Sequence, residues 1–391
     1  MPRIHWLGAG LSSGPGIHRL ARCGYPLSLW NRTLSKAEEI LYGTGSAAEA
    51  KTLDWQVLAN SLNPGDILVS MLPGTMHPQV ARLCLEQKCH LVTTSYLSPE
   101  IRALSEQVAA GGLCFVNEVG LDPGIDHLMA HSLMADYQKS NLFDPLNSHY
   151  FRSYCGGFPK TINDFRYKFS WSPLAVLRAL KSPAQWISKG ETMNSQKVWE
   201  FINRYHAELS GGAEWFQSYP NRDSIPYLAE YGFSKDWNVQ EFIRGTLRLE
   251  GWSDAWQPIF EQIERLKGDS EEQVLNDLSA QLWENHQYGQ EESDRVVLCV
   301  ELEIQKENQP IWHQLYTLDE TRNEQGTAMA RLVSWTCSIA VESILNDAIK
   351  PGVGTAPNRP EQVKNWMNQL RGFGVQIHRT DLVKPAGNRL H

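Results

Sequence analysis

Through the first 120 residues, short apolar runs alternate with stretches of helical period. The runs at 3–7, 27–31, 67–71, 90–94 and 113–117 are short and largely apolar, which predicts strands covered on both faces. Between them the spacing predicts helices near 17–23, 35–42, 78–87 and 99–110. A further strand, third in order, is expected near 46–52, but Ala47, Ala48, Glu49 and Ala50 favour helix, so order and propensity conflict there. The repeated β-then-α rhythm predicts an α/β fold with a doubly wound parallel sheet.

After about residue 147 the texture changes to longer alternating segments such as 148–155 and 242–252, which read as a second, α+β domain with a mixed sheet. Residues 256–286 are polar, helical in period and rich in Glu and Gln, the pattern of a small helical insert. From 327 to 349, Ala328, Leu332, Val333, Ile339, Ala340, Ile344 and Leu345 form one broad apolar face, predicting a long helix that returns the chain to a core. The expected division is 1–123, rejoined by 340–391, then 124–255 with 290–339, then the insert at 256–289.

Composition narrows the function. With 42% hydrophobic and 20% charged residues the chain is globular, and 36 Lys plus Arg against 44 Asp plus Glu give a net charge of -8. That sign opposes binding to a phosphate backbone, so nucleic acid is not an expected partner. The 14 Trp residues are accordingly read as packing rather than as a stacking platform. Seven cysteines, odd in number and without zinc-type pairs, suit reduced thiols. Cys84 and Cys89 read as buried thiols, no H-E-x-x-H motif occurs, and no metal is expected. The chain opens directly into a strand and a glycine-rich turn, with no signal peptide and no apolar run of bilayer length in this reading. A cytoplasmic protein with no membrane partner is expected.

Gly8, Gly10 and Gly14 follow the first predicted strand, a context in which the backbone turns tightly and a helix start faces a pyrophosphate. After the second strand, where NAD enzymes place a carboxylate against the ribose hydroxyl, the chain reads Asn31-Arg32-Thr33. A guanidinium there favours a 2'-phosphate, so NADP is the expected cofactor. Residues 70–73 and 93–96 end the fourth and fifth strands on the ligand-binding edge, which makes Leu72, Thr94 and Ser95 candidate contacts. Arg222, Arg244 and Arg248 suit a substrate with several carboxylates, and in a strand Arg244, Thr246 and Arg248 share one face.

Asp122 and Asp126 flank Pro123-Gly124; either a carboxylate binds a substrate ammonium or the pair caps a helix, with Asp126 and His127 read as structural. Cys155 precedes Gly156-Gly157 at a predicted strand end, where its thiol faces the ligand without serving as a nucleophile. Tyr96, Asp122, Cys155 and His127 stand as unranked proton donors.

Four runs carry a likeness: TTSYLSPE from Thr93, GLDPGIDH from Gly120, SYCGGFP from Ser153 and YPNRDSIPY from Tyr219. With YKFSWSP from Tyr167 and IRGTLRLEGW from Ile243, they make the chain similar, over most of its length and in the same order, to the saccharopine reductase family. These are the NADP-dependent, L-glutamate-forming saccharopine dehydrogenases. The resemblance implies a Rossmann domain, a mixed-sheet catalytic domain and a helical insert. It also implies the reaction in which glutamate and 2-aminoadipate 6-semialdehyde condense to an imine that NADPH reduces to saccharopine.

Carried over residue by residue, it implies NADP contacts at Gly10, Leu11, Ser12, Ser13, Asn31, Arg32, Thr33, Leu72, Thr94, Ser95, Leu121, Asp122, Pro123 and Trp171. Saccharopine contacts are implied at Ser95, Tyr96, Asp122, Arg222, Thr246, Leu247 and Arg248, with Arg222 the strongest expectation among the arginines. Two features depart from the family: LPGTMH has Gly74 where an aromatic is more usual, and the insert is shorter than in fungal members.

Related imine reductases share the cofactor fold and vary the pocket, so a carboxyspermidine- or carboxynorspermidine-type substrate is the enzymatic alternative. It would call for acidic pocket walls. A catalytically idle NADP-binding module is the alternative from another class. A homodimer is expected only by analogy with broad mixed sheets that cover an apolar face.

Overall fold

The computed structural model describes residues 1–44, 48–266 and 271–383. Ser46 and Ala47 of the expected third strand lie outside the described residues, as do 267–270 of the expected insert and 384–391 of the tail. In chain order the strands are β1 (Ile4–Leu7), β2 (Leu27–Asn31), β3 (Ala48–Thr52), β4 (Ile67–Ser70), β5 (His90–Thr93), β6 (Cys114–Val116), β7 (Ser148–Pro159) and β8 (Ala184–Ser188). They continue as β9 (Glu191–Ser195), β10 (Asn203–Leu209), β11 (Gly212–Pro220), β12 (Val239–Leu249), β13 (Asp294–Lys306), β14 (Gln309–Thr321), β15 (Gly352–Gly354) and β16 (Ile377–Asp381).

The chain divides into two units: Met1–Leu128 with Asn323–Phe373, and 129–322 with the chain from Gly374 onward. Among the described residues the first unit holds a seven-stranded sheet in the order β15-β6-β5-β4-β1-β2-β3, parallel throughout. The order reverses beside β1, which is where open α/β sheets bind ligands at their carboxyl ends. The strands are apolar because helices cover both faces: β1 and β4 are buried along their whole length. The third strand forms despite its helix formers because β2 supplies a parallel partner from Leu27 to Asn31. Pairing overrides propensity there.

The long apolar stretch forms the helix Ala328–Leu345, and by length and composition it would pass as a membrane span, contrary to the reading that no run approaches that length. Its apolar residues serve the core instead, since 78% of it is buried inside the protein. The helix Gly14–Arg22 lies against it so closely that a Cβ at Gly16 would stand 2.4 Å from the Ser334 carbonyl oxygen. The Gly16 amide donates to Ser334 Oγ at 2.8 Å. Gly16 is therefore a packing glycine, and the obstructing atom is backbone that cannot swing away. Gly16→Ala is expected to lower unfolding stability by about 1 to 3 kcal/mol, as overpacking does. A urea melt within about 0.5 kcal/mol of the parent, the usual scatter of a surface change, would contradict it.

Among the described residues of the second unit a nine-stranded mixed sheet runs β10-β11-β12-β7-β13-β14-β16, with β8 joined to β12 and β9 to β8. β12 is parallel to β7, and β13 is antiparallel to it. Its core gathers Phe158, Phe169, Phe216, Leu247, Trp252, Trp256 and Val297.

The expected division differs from this packing in four places. The chain returns to the first unit at Asn323 rather than at 340, so the helix Ala328–Leu345 lies whole in that unit. The tail is shared, because Ile377–Asp381 pairs with β14 in the second unit whereas β15 and the helix Pro360–Gly372 belong to the first. The first boundary falls inside the helix Ile125–Lys139, at Leu128. The polar stretch forms two helices, Trp252–Arg265 and Glu271–His286, whose Ile259, Leu275, Leu278 and Leu282 join the second unit's own core. They are amphipathic rather than polar throughout, so they have an apolar stripe to bury.

Candidate active site

In the first unit the turn after β1 is tied down by its own polar groups. The Gly8 amide donates to the Trp30 carbonyl at 2.8 Å, and Ser13 Oγ donates to the Gly8 carbonyl at 2.9 Å. The Ala9 amide donates to Asn31 Oδ1 at 3.2 Å, and Asn31 Nδ2 donates to the Thr33 carbonyl at 2.8 Å. Ser13 also spends its amide on the Gly10 carbonyl, so Ser13 and Asn31 build the loop rather than offer side chains to a ligand. By contrast the amides of Gly10, Leu11 and Ser12 have no acceptor among the described residues. A Cβ at Gly10 would meet nothing within 4 Å, and the helix starting at Gly14 has no side-chain cap. Uncovered amides at a helix start fit a pyrophosphate. Arg32 is exposed at the end of β2 and makes no ion pair among the described residues.

The carboxyl ends of β4 and β5 are joined through His77, which the sequence reading did not single out. Its Nδ1 lies 2.9 Å from Ser70 Oγ and its Nε2 lies 2.9 Å from Ser95 Oγ. Burial pushes the imidazole pKa down to about 4, so the ring is neutral at pH 7. No motif signals it, because the three residues come together only when two parallel strands and a helix start align.

Beyond Ser95, Thr94 Oγ1 donates to Met71 Sδ at 3.5 Å, and the Tyr96 hydroxyl donates to Asp122 Oδ1 at 3.2 Å. Two of the expected proton donors thus touch. A third, His127, turns its Nε2 to Glu118 Oε2 at 2.9 Å, and both side chains are buried. Glu118 Oε1 accepts from the Leu97 amide at 2.9 Å, so this pair braces the segment bearing Ser95 and Tyr96. Asp126 Oδ1 accepts from the Gly124 amide at 2.6 Å and ties the turn that follows Asp122. Leu121 and Pro123 are buried, which leaves only their backbone for a ligand, whereas Asp122 and Leu72 are half-buried.

In the second unit, alternation along β12 sets Arg244, Thr246 and Arg248 on one face. Thr246 pairs with Tyr219 of β11 and with Cys155 of β7, so the three residues share one row. Cys155 is not at a strand end as expected: β7 continues to Pro159 because Gly156 and Gly157 keep their ladder partners Val297 and Val296. Leu247 points to the opposite face and is wholly buried in the aromatic core, so its side chain is unavailable to a substrate. Trp171 is 36% exposed, in the loop before the helix Pro173–Lys181.

Arg248 is only 6% exposed, yet it has no carboxylate partner among the described residues. Its guanidinium carbon lies 4.9, 5.5 and 5.2 Å from the ring centres of Tyr167, Tyr219 and Trp252. One Nη donates to the Leu247 carbonyl at 3.1 Å, and Nε has no partner among the described residues. A buried cation held by ring faces, with a donor to spare, is poised for an anion. Arg244 is also buried, its guanidinium carbon 4.0 Å from the Tyr227 ring centre. Arg222 is exposed, with a φ of 60°, and its carbonyl accepts from the Gln185 amide at 2.9 Å.

A separate charge cluster lies on β7, β13 and β14. Glu301, Glu303 and His313 offer ligand atoms within 4.8 Å of one another, a grouping that could hold a metal. The sequence hides it, because His313 meets the two carboxylates only through the β13–β14 register that pairs it with Glu303. Arg152 already supplies the cation: its Nη1 lies 2.9 Å from Glu301 and 3.1 Å from Glu303, and its Nη2 lies 2.6 Å from Glu241.

The chain is similar to known proteins. Residues 4–116 match the model of the saccharopine dehydrogenase NADP binding domain, and 120–375 match that of the saccharopine dehydrogenase C-terminal domain. The chain is 29% identical to the Saccharomyces cerevisiae protein named saccharopine dehydrogenase [NADP(+), L-glutamate-forming], covering 95% of this chain and 97% of that one. It is 34% identical to the rat mitochondrial alpha-aminoadipic semialdehyde synthase over 64% of this chain but only 27% of the rat protein, so it spans about a quarter of that relative. The structure of apo saccharopine dehydrogenase (L-Glu forming) from Saccharomyces cerevisiae superposes with a TM-score of 0.79 at 26% identity, covering 98% of this chain and 100% of that one.

Proposed function

The chain belongs to the saccharopine dehydrogenase family, and from that premise we propose that it interconverts saccharopine with L-glutamate and 2-aminoadipate 6-semialdehyde using NADP. The observation that carries the substrate class is Arg248, a buried guanidinium without an acidic partner among the described residues. Saccharopine bears three carboxylates, and a carboxylate is the anion a guanidinium fork receives best. A polyamine-type substrate would present more ammonium groups to a face already carrying Arg244 and Arg248, so the Arg-rich face favours the amino-acid reading.

The open amides of Gly10, Leu11 and Ser12 fit the pyrophosphate, and Arg32 the 2'-phosphate, of NADP. When bound, the dinucleotide supplies or accepts the hydride; the protein's part is alignment and charge placement. Ser95, Tyr96, Asp122, Arg222, Thr246 and Arg248 are assigned to substrate. Tyr96 and Asp122, 3.2 Å apart through the Tyr96 hydroxyl, can pass a proton between them during loss of water from the carbinolamine. Cys155, in the row of Thr246, is a further polar contact rather than a nucleophile. The seven free cysteines suit a reducing compartment, which supports a cytoplasmic enzyme.

An absorbance assay for reduced nicotinamide, with saccharopine and NADP, tests substrate and cofactor together. Turnover of a carboxyspermidine-type amine in place of saccharopine would sink the assignment, and so would tight NADPH binding without turnover of either. The cofactor part has its own test. Arg32→Asp is expected to shift the NADP-to-NAD preference in kcat/KM by at least tenfold towards NAD, since it removes a phosphate partner and adds a repelling charge. An unchanged ratio would remove Arg32 from the 2'-phosphate site.

A further inference from the structure

The hydrogen count around His77 determines which way the Ser95 hydroxyl points. Ser70 is fully buried, and its hydroxyl has one partner among the described residues, His77 Nδ1 at 2.9 Å. If Nδ1 carried the ring hydrogen, the Ser70 O–H would be buried with no acceptor, a loss larger than the bond is worth. The other tautomer leaves neither the Ser70 hydrogen nor the ring hydrogen unpaired: Ser70 donates to Nδ1, and Nε2–H donates to Ser95 Oγ at 2.9 Å. Because burial keeps the ring neutral, only one nitrogen carries a hydrogen. The Ser95 proton then has no acceptor among the described residues, and Ser95 is half-buried with space beside it. A Cβ at Gly74 would be 3.9 Å from Ser95 Oγ, and glycine leaves that space unfilled.

We propose that His77 is a positioning residue that holds Ser95 as a hydrogen-bond donor, aimed at an anionic oxygen, carboxylate or phosphate, of the bound ligands. The proposal rests on the reading of Ser95 as a ligand contact. It makes Ser70, which is fully buried, the anchor of the chain: Ser70 selects the His77 tautomer, and the tautomer selects the role of Ser95.

Two measurements test it separately from the proposed reaction. Nitrogen NMR of histidine-labelled protein reads the tautomer without turnover, and His77 is expected as neutral with hydrogen on Nε2; hydrogen on Nδ1 overturns the proposal whatever the enzyme does. A double-mutant cycle reads the coupling. Ser95→Ala and His77→Phe are each expected to raise KM for saccharopine or NADPH about tenfold, the worth of one hydrogen bond to a charged oxygen, with a smaller effect on kcat. The double variant should match the singles, and independent, multiplying losses overturn the proposal. Ser70→Ala, which keeps the ring and its packing, serves where His77→Phe fails to fold: with no hydroxyl to donate to Nδ1, the preference for hydrogen on Nε2 should weaken and the same KM should rise, and a variant unchanged in both overturns the proposal. A parent enzyme with the expected tautomer but no saccharopine turnover would indict the substrate assignment, not the positioning.

Discussion

Arg248→Met is expected to reduce kcat/KM for saccharopine by about 2 to 5 kcal/mol, which is roughly 30-fold to several thousand-fold, while leaving the Kd for NADPH within twofold. The size follows from burial. An exposed ion pair is screened by water, whereas Arg248, at 6% exposure among three aromatic rings, would meet a carboxylate in a poorly hydrated place. The stability of the ligand-free protein distinguishes this role from a structural one. A buried cation without an anion costs free energy, so Met in its place should leave the melting temperature unchanged or raise it. Arg248→Lys keeps the charge but loses the planar fork, and should fall between parent and Met. A melting temperature several degrees lower, with KM unchanged, would make Arg248 a strut of the aromatic core and return the carboxylate role to Arg222, which is exposed and less well insulated.

These contrasts mark what the sequence discloses. The strand rhythm of the first unit and the glycine turn are legible because strands buried on both faces need continuous apolar runs and the turn sits at one end of them. The face shared by Arg244, Thr246 and Arg248 is legible because a strand alternates with a period of two. Three things are not. Gly16 reads as one more glycine until the helix Ala328–Leu345 arrives from more than 300 positions away and presses on it. His77 looks like a helix-start residue until β4 and β5 bring Ser70 and Ser95 to its two nitrogens. Cys155 reads as a strand end because two glycines follow it, yet β13 continues the ladder past them. In each case the missing information is a partner distant in sequence, which local period and propensity do not carry.

Arg152→Met is expected to cost about 3 to 5 kcal/mol of unfolding stability at pH 7, the other large effect this structure implies. Its guanidinium is the common partner of Glu241, Glu301 and Glu303, and Glu301 also receives the Tyr205 hydroxyl at 3.2 Å and His313 Nε2 at 2.6 Å. Burial pushes the Arg152 pKa down, but the three carboxylates more than reverse that and hold it above its ordinary value. For Glu301 burial pulls the pKa up, and His313 with Arg152 overcomes it, leaving the carboxyl below its ordinary 4.5. A carboxyl so depressed adds stability that is present above its unfolded pKa and is lost as pH falls through the folded one. Removing Arg152 strands like charges, buried at Glu301 and half-buried at Glu241 and Glu303, so the penalty should be largest near neutrality and shrink towards pH 4, where protonation relieves the repulsion. Glu301→Gln placed in the Arg152→Met background should recover part of the loss, because an amide needs no counter-charge. Urea melts of the parent and the two variants between pH 4 and pH 8 decide it. A loss below about 1 kcal/mol, the worth of an exposed pair, or one that grows on acidification, would mean that solvent screens the cluster and that its carboxylates stand ready for a different cation.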